Sequence, residues 1–525
     1  MKKILYLLLI LSLSIGAVSC QKMESVNTDP NNPVDVPSNM IMAGTEKKIM
    51  DYVFDNWFSG RQCLVYSQYW AQRNYTEEDR YQIRESVNNN YFNQLYTCQA
   101  NLNKVISLNT DAATAPTMAS YGNNNNQIAA ARILKVWLYQ VMTDTWGAIP
   151  YSEASKLNEG VYYPKYDGQK DIYTDLIKEL TEAVAMIDES DVAFNGGDRI
   201  FDGDASKWKK FANSLKCRLA IHVSKVDSNW KKYIAEALTS GVFTSNADNA
   251  VYKYSTTAPE QCQFYRGYFE DSRNDFTIAK PFADILKGQA DTLNAKTHPW
   301  AGVQDPRLPI YTTPRNGQYF GMPYGIPSSS VKSAMRNAAP SWYANPPLCI
   351  SADFSVPLMT YAELQFILSE YKGYSAAEYE AGVRASIQYW SGLNGTTVNS
   401  ATLESYITAV KGTVNAETVA LQKYIDLYMN GTEAWTEYRR TGYPTQILKP
   451  GEFSYVSAGT KLQFTTLSET KGDIISRVKY PTNESTLNKT SFDAAVANLQ
   501  DKTNNYYSKM FWDVRSTTTP HPANK

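Results

Sequence analysis

Two stretches of the chain interleave flat rings with forked hydrogen-bond donors. "VYSQYWAQRNYTEEDRYQI", residues 65–83, sets Tyr69, Trp70, Tyr75 and Tyr81 among Arg73, Asn74 and Arg80. "FYRGYFEDSRNDF", residues 264–276, repeats the theme with Tyr265, Tyr268, Arg273 and Asp275. An aromatic face can stack on the C–H face of a sugar ring. Arg and Asn can make paired hydrogen bonds to its hydroxyls. These residue types therefore point to non-covalent recognition of a carbohydrate. The competing reading is that the rings fill a core, because aromatic side chains dominate cores as well.

Covalent chemistry finds less support. The three histidines, His222, His298 and His521, form no metal-binding pattern. His222 falls on the apolar side of a helical repeat and reads as a packed residue. No nucleophile elbow, phosphate loop or dinucleotide fingerprint is present. Ser329/Lys332 and Ser468/Lys471 match S-x-x-K without its partner motifs. "TEEDR" groups Glu77, Glu78 and Asp79, which reads as a solvated charge run. Asp198, Asp202 and Asp204 offer oxygens to calcium, but the EF-hand spacing is absent. Turn and cap duty explains them more simply. The expectation is a binding protein without a resident cofactor. A surface glycosidase, with two carboxylates facing each other across a bond, is the remote alternative.

The elements that must position such residues are mostly helices. Ile133, Leu134, Trp137, Leu138, Val141 and Met142 form one helical face, and Ile172, Leu176, Leu180, Val184 and Ile187 another. "DASKWKKFANSLKCRLAIHVSKV" follows, with Asp204 as an N-cap. Later segments, "MTYAELQFILSEY", "AAEYEAGVRASIQYW", "AETVALQKYIDLYMNG" and "TEAWTEYRR", continue the pattern. Gly431 is placed to end one of these helices. Helices in pairs with short links suggest tetratricopeptide-like stacking. The helix-pair scaffold is expected at about 125–240 and 357–441, within a single domain at 41–525. Stretches at about 241–356 and 442–510 are rich in Gly, Pro and aromatics. They read as large ordered loops, where binding usually resides.

The N-terminus has a different character. Lys2 and Lys3 precede an apolar run that ends in small residues before Cys20. Residues 1–19 read as a secretory signal, too short to span a membrane. Cys20 sits as the acylated cysteine of a bacterial lipobox does, although Ala17 replaces the usual Leu. Residues 20–40, rich in Pro and Asn, read as a tether between lipid and domain. The chain has a net charge of -1 and no clustered basic surface in its pattern, so no nucleic-acid partner is expected. The other cysteines, Cys63, Cys98, Cys217, Cys262 and Cys349, show no C-x-x-C spacing. They are expected to be mostly buried and free.

A series of strings in order then carries a resemblance. "SVNTDPNNP", "DTWGAIPYSEA", "YDGQKDIYTDLIKEL", "GDASKWKKFANSLKCRLA", "DPRLPIY", "LMTYAELQFILSEY", "EAWTEYRRTGYP", "RVKYPTNES" and "MFWD" together resemble the SusD/RagB family, in its SusD-like 2 branch. The resemblance spans nearly the whole chain. It implies a mainly α fold with four tetratricopeptide-like helix pairs and a loop-rich binding face. It also implies an outer-membrane lipoprotein on the cell surface, capping a SusC-like TonB-dependent transporter and delivering oligosaccharides to it. Some members take peptides instead, which is the alternative ligand. The family's aromatic-Arg-Asn cluster would correspond to Trp70, Arg73, Asn74 and Tyr75. The arginines of "DPRLP" and "RRTGYP" would fix loops to helices. The acidic cluster that usually follows the lipid cysteine is missing here, since only Glu24 precedes Asp29.

Overall fold

A computed structural model of the chain describes residues 36–273, 275–331, 350–393 and 395–515. The expected signal, most of the expected tether, Cys20 with its expected lipid, Cys349 and His521 lie outside these described residues. The first helix, α1 (Ser38–Val53), begins inside the stretch read as tether. It is held there because Met42, Ile49, Met50 and Val53 pack into the core.

The next helix, α2 (Glu85–Thr110), has no counterpart among the segments read as scaffold. Its Asn-rich sequence has a weak intrinsic preference for helix. Tyr91, Phe92, Leu95, Cys98, Leu102 and Val105 nevertheless make a continuous buried stripe. Helix α3 (Asn124–Trp146) packs against α2 on one side and against α4 (Gln169–Met186) on the other. The Asn123 side chain caps α3 by accepting the Asn126 N–H at 3.2 Å. Next come α5 (Ala205–His222) and α6 (Trp230–Ser240), packed as a pair. Helix α7 (Lys280–Leu286) is a short element in the loop region.

The C-terminal scaffold comprises α8 (Tyr361–Tyr371), α9 (Ala376–Leu393), α10 (Ser400–Val410), α11 (Ala416–Asp426) and α12 (Gly431–Thr441). Helix α8 packs on α9, α11 and α5, which joins the two halves. Links such as 372–375 and 427–430 are short, but 147–168 is long and carries its own ladder. Gly431 starts α12 and does not end a helix. A Cβ there would stand 2.6 Å from Leu64 N and 2.7 Å from the Cys63 carbonyl carbon. The missing side chain lets α12 begin directly on that backbone.

Among the described residues, four two-stranded antiparallel ladders brace the loop regions. Strand β1 (Trp70–Gln72) pairs with β5 (Phe276–Ile278), with Trp70 opposite Ile278. The other strands are β2 (Ile149–Pro150) with β3 (Tyr166–Asp167), β4 (Ala250–Tyr252) with β6 (Val356–Met359), and β7 (Phe453–Ser457) with β8 (Thr460–Gln463). Among the described residues no helix is long and apolar enough to cross a membrane.

Buried ions tie loops and helices together. Arg218 on α5 makes a bidentate pair with Glu363 on α8, both bonds at 2.6 Å. Arg307 pairs with Asp305 at 2.7 Å and also reaches Ser386 on α9 and Gln422 on α11. Arg439 donates to the carbonyls of Asp144 (2.7 Å) and Ser476 (2.9 Å) and lies 3.5 Å over the Trp435 ring. Cys63, Cys98, Cys217 and Cys262 are buried free thiols, each pushed up to about 12 by burial.

Candidate functional site

The structure separates four of the six sequence-predicted rings from the solvent. Tyr69, Trp70, Tyr81 and Tyr268 are at most 3% exposed. Trp70 lies edge-on to Phe264, 5.4 Å away, and its Nε1–H donates to Tyr428 Oη at 3.2 Å. Tyr69 stacks on Tyr424 and donates to that residue's carbonyl. Tyr81 meets Tyr66 and Phe464 edge-on. These four rings belong to the core, so none has a free face for a ligand. The cause is tertiary: the pairing of β1 with β5 closes the segment beneath residues 264–278. Arg80 also turns to structural duty, donating from Nε to the Thr465 carbonyl at 3.0 Å. Glu78 and Asp79 are buried as well, contrary to the solvated run expected. Glu78 pairs with Arg84 at 2.9 Å, and Asp79 accepts the Gln72 N–H at 2.8 Å.

The aspartates considered for calcium are already engaged. Asp198 accepts N–H bonds from Ile200 (2.9 Å), Phe201 (3.0 Å), Gly203 (3.0 Å) and the Trp208 indole (2.7 Å). Exposed Asp202 pairs with Lys253 at 2.8 Å, and Asp204 caps α5 through the Lys207 N–H at 3.1 Å. Turn and cap duty accounts for all three.

An exposed ring that no sequence pattern marks is Trp57. It is 40% exposed and follows Asp55 and Asn56 at the end of α1. The Arg61 guanidinium lies 4.9 Å from its ring centroid and that of Arg273 lies 5.7 Å away. Arg61 is buried, 3.3 Å from Glu78 and 3.9 Å from Asp275, whereas Arg273 is exposed. The Arg73 N–H donates to the Asp275 carbonyl at 2.6 Å, and Ser328 Oγ holds the Asn74 carbonyl at 2.5 Å. The fold thus brings Arg73, Asn74 and Arg273, from the two stretches picked out by composition, to one neighbourhood. Tyr75 is 57% exposed on the same loop, and Tyr265 is half-buried against Phe269.

Two short π-helical turns shape this neighbourhood. One covers Ser59–Cys63 and the other Arg266–Glu270, with i to i+5 bonds from Gly60 N to Asp55 O (2.8 Å) and from Asp271 N to Arg266 O (3.0 Å). Such turns often occur at functional sites. Asn56 stitches them together by donating from Nδ2 to the Gln263 carbonyl at 3.0 Å. Gly267 makes the contact possible, since a Cβ there would fall 1.6 Å from Asn56 Nδ2.

Trp57 stands between two open grooves. The first, of about 410 Å³, runs along Lys47, Lys48, Asp51, Gln263, Arg266 and Asp271. The second, of about 360 Å³, runs along Phe58, Ser86, Val87, Asn90 and Tyr91. Tyr52, Asp55 and Trp57 line both. Asp55 accepts the N–H groups of Phe58 (2.8 Å) and Ser59 (3.0 Å). Burial nevertheless outweighs these bonds and pushes its carboxyl up to about 7. An exposed indole between a groove of mixed polarity and a mainly apolar one can stack a ring, while the first groove hydrogen-bonds its substituents.

A second cluster of chemistry-bearing side chains is entirely buried. His222, Glu433 and Glu437 could enclose a metal ion by geometry alone. The same carboxylates are already served by cations, with Glu433 3.7 Å from Arg218 and Glu437 3.3 Å from Lys423 and 2.9 Å from Arg440. That charge supply makes the cluster a structural ion network.

With this geometry in view, the relatives can be placed. Residues 30–481 match the SusD-like 2 family, described as starch-binding and associating with the outer membrane. The chain belongs to this family. It is 25% identical to a solved chitin-binding protein, with a TM-score of 0.70 over 90% of this chain and all of that one. A SusD homologue from Bacteroides uniformis is also 25% identical, with a TM-score of 0.69 over 90% of this chain and 99% of that one. A SusD homologue from Parabacteroides distasonis shares the fold at 22% identity, with a TM-score of 0.72 over 92% of this chain and 99% of that one. No curated protein matches the sequence.

Proposed function

We propose that this protein is a glycan-binding subunit of an outer-membrane importer. In this reading it is anchored through Cys20 at the cell surface. It receives oligosaccharides at Trp57 and passes them to a SusC-like TonB-dependent transporter, over which it closes as a lid. The observation that carries the binding step is the exposed Trp57 ring between two open grooves, the first with charged and amide side chains along it. The family's description and the chitin-binding relative support a carbohydrate as the ligand. Membership of a binding family supports transport without turnover.

The test is calorimetric titration of a soluble form beginning at Gln21 with maltohexaose, chitohexaose and a mixed peptide set, followed by analysis of the recovered ligand. Saturable, uncleaved sugar binding that falls at least about tenfold in Trp57→Ala is expected, since losing about 1.4 kcal/mol of contact has that effect. Peptide binding alone, or sugar binding that ignores Trp57→Ala, would overturn the reading. The transporter step is tested separately, by co-purification of the lipidated protein with a barrel partner from the outer membrane.

A further inference from the structure

The walls around Trp57 carry cations that have no carboxylate of their own. Lys47 is paired with Asp51, Arg266 with Glu270 at 3.1 Å, and Arg61 with Glu78. Lys48, on the first groove, and Arg273, beside the indole, make no ion pair among the described residues. Arg273 is exposed, and its N–H is fixed to the Gly267 carbonyl at 2.8 Å, so its base is held while its guanidinium meets solvent. Among the carboxylates on the first groove, Asp51 is held by Lys47, which leaves Asp271 as the acid unpaired among the described residues and facing Lys48 and Arg273.

A guanidinium forks onto carboxylate or sulfate in a planar, two-bond geometry. A neutral sugar leaves that capacity unused. We infer that the Trp57 site, if it binds glycan as proposed above, selects an anionic sugar residue, with Trp57 stacking the ring and Arg273 and Lys48 bonding its acidic group. The shared chemistry is a compact oxyanion on a sugar ring, either the carboxylate of a uronic acid or a sulfate ester. The attraction is strengthened because the buried carboxyl in the floor, Asp55, is only partly charged near neutral pH.

The experiment compares ligands of one sugar backbone. The soluble form from Gln21 is titrated with hexagalacturonate and with its methyl ester, which keeps the ring and loses the charge. Chondroitin sulfate oligosaccharide against unsulfated chondroitin forms the sulfate arm. At least one acidic ligand is expected to bind tenfold or more tightly than its neutral counterpart, and to weaken threefold or more between 50 and 300 mM salt. Arg273→Gln and Lys48→Gln are expected to abolish that preference, each weakening the acidic ligand severalfold more than its neutral counterpart. The arm that shows the preference names the acid. Equal affinity for acidic and neutral forms, both lost in Trp57→Ala, would overturn the anionic preference and leave the glycan site standing. Acidic binding unchanged in Arg273→Gln, Lys48→Gln and Trp57→Ala would overturn it by placing the ligand elsewhere. Absence of any glycan binding would overturn the site reading and this inference together.

Discussion

At the residue scale the informative comparison is between two tryptophans thirteen positions apart. Trp57 and Trp70 each precede an arginine by a few residues, and composition treats them alike. Only the pairing of β1 with a strand two hundred residues later buries one and leaves the other open. Trp70→Ala is therefore expected to open a core cavity and cost about 3–5 kcal/mol. Denaturant unfolding would register this as a lower midpoint. Trp57→Ala is expected to leave that midpoint nearly unchanged while weakening ligand. A reversal of the two phenotypes would remove Trp57 as the binding ring. Asp55 provides a pH test in the same place. Its folded-state pKa is raised from 3.8 to about 7, so its contribution is fully favourable below about 4 and is lost as pH rises through 7. Asp55→Asn keeps an oxygen for the Phe58 and Ser59 N–H groups. It should stabilise the protein at pH 8 relative to wild type, with the gain shrinking by pH 5. An equal effect at both pH values would show that the carboxyl does not titrate there.

At the scale of elements, much of the scaffold could be read from the spacing of its apolar residues, which in α4 marks a buried face repeating every three or four residues and in α3, α5 and α8 marks helices buried nearly all round. Helix α2 escaped because its polar positions are asparagines, which favour turns, although the stripe from Tyr91 to Val105 was present. Trp57 and the π-helical turns escaped for another reason. No local periodicity signals an i to i+5 bond, and the stitch from Asn56 to the Gln263 carbonyl joins segments far apart in sequence. Arg73, Asn74, Tyr75 and Arg273 were legible as candidates by composition, but the placement of Arg273 beside Trp57 was not. The stitch makes a prediction of its own. Gly267→Ala would drive a methyl group into the Asn56 amide, which is itself held by its carbonyl partner. Ligand affinity is expected to fall severalfold with the scaffold's circular dichroism intact. Gly267→Ala/Asn56→Ala, which removes the clash, should regain part of that loss. Failure of the double variant to recover anything would mean that the stitch matters beyond making room.

At the scale of the whole molecule, the halves of the scaffold meet through buried charge. His222 on α5 is enclosed by Glu433 and Glu437 from α12, Asp144 from α3 and Tyr173 from α4. Its Nε2 lies 2.9 Å from Glu433 Oε1 and its Nδ1 3.0 Å from Tyr173 Oη. The Tyr173 hydroxyl passes the chain on to Asp144 at 2.7 Å. Burial alone would strip the proton from this imidazole, but the carboxylates prevail and hold its pKa at about 9 against an ordinary 6.5. A raised pKa means the folded state binds the proton more tightly than the unfolded chain. The resulting stability is complete below about pH 6.5 and is lost as pH climbs through 9, which amounts to roughly 3 kcal/mol. Glu433 works in the opposite sense, being held at about 2, so its share fades only as pH falls below 4.5. His222→Gln removes the cation and leaves the two glutamates to Arg218, Lys423 and Arg440. It should therefore cost about 3–5 kcal/mol near pH 6, the range for breaking a buried pair. The difference between wild type and variant, measured by chemical denaturation at pH 6, 7.5 and 9.5, should narrow steadily across the series. Lysines and tyrosines common to both proteins cancel in that difference. Parallel curves would show that His222 is neutral in the fold and that the halves are held by Arg218 and its partners alone.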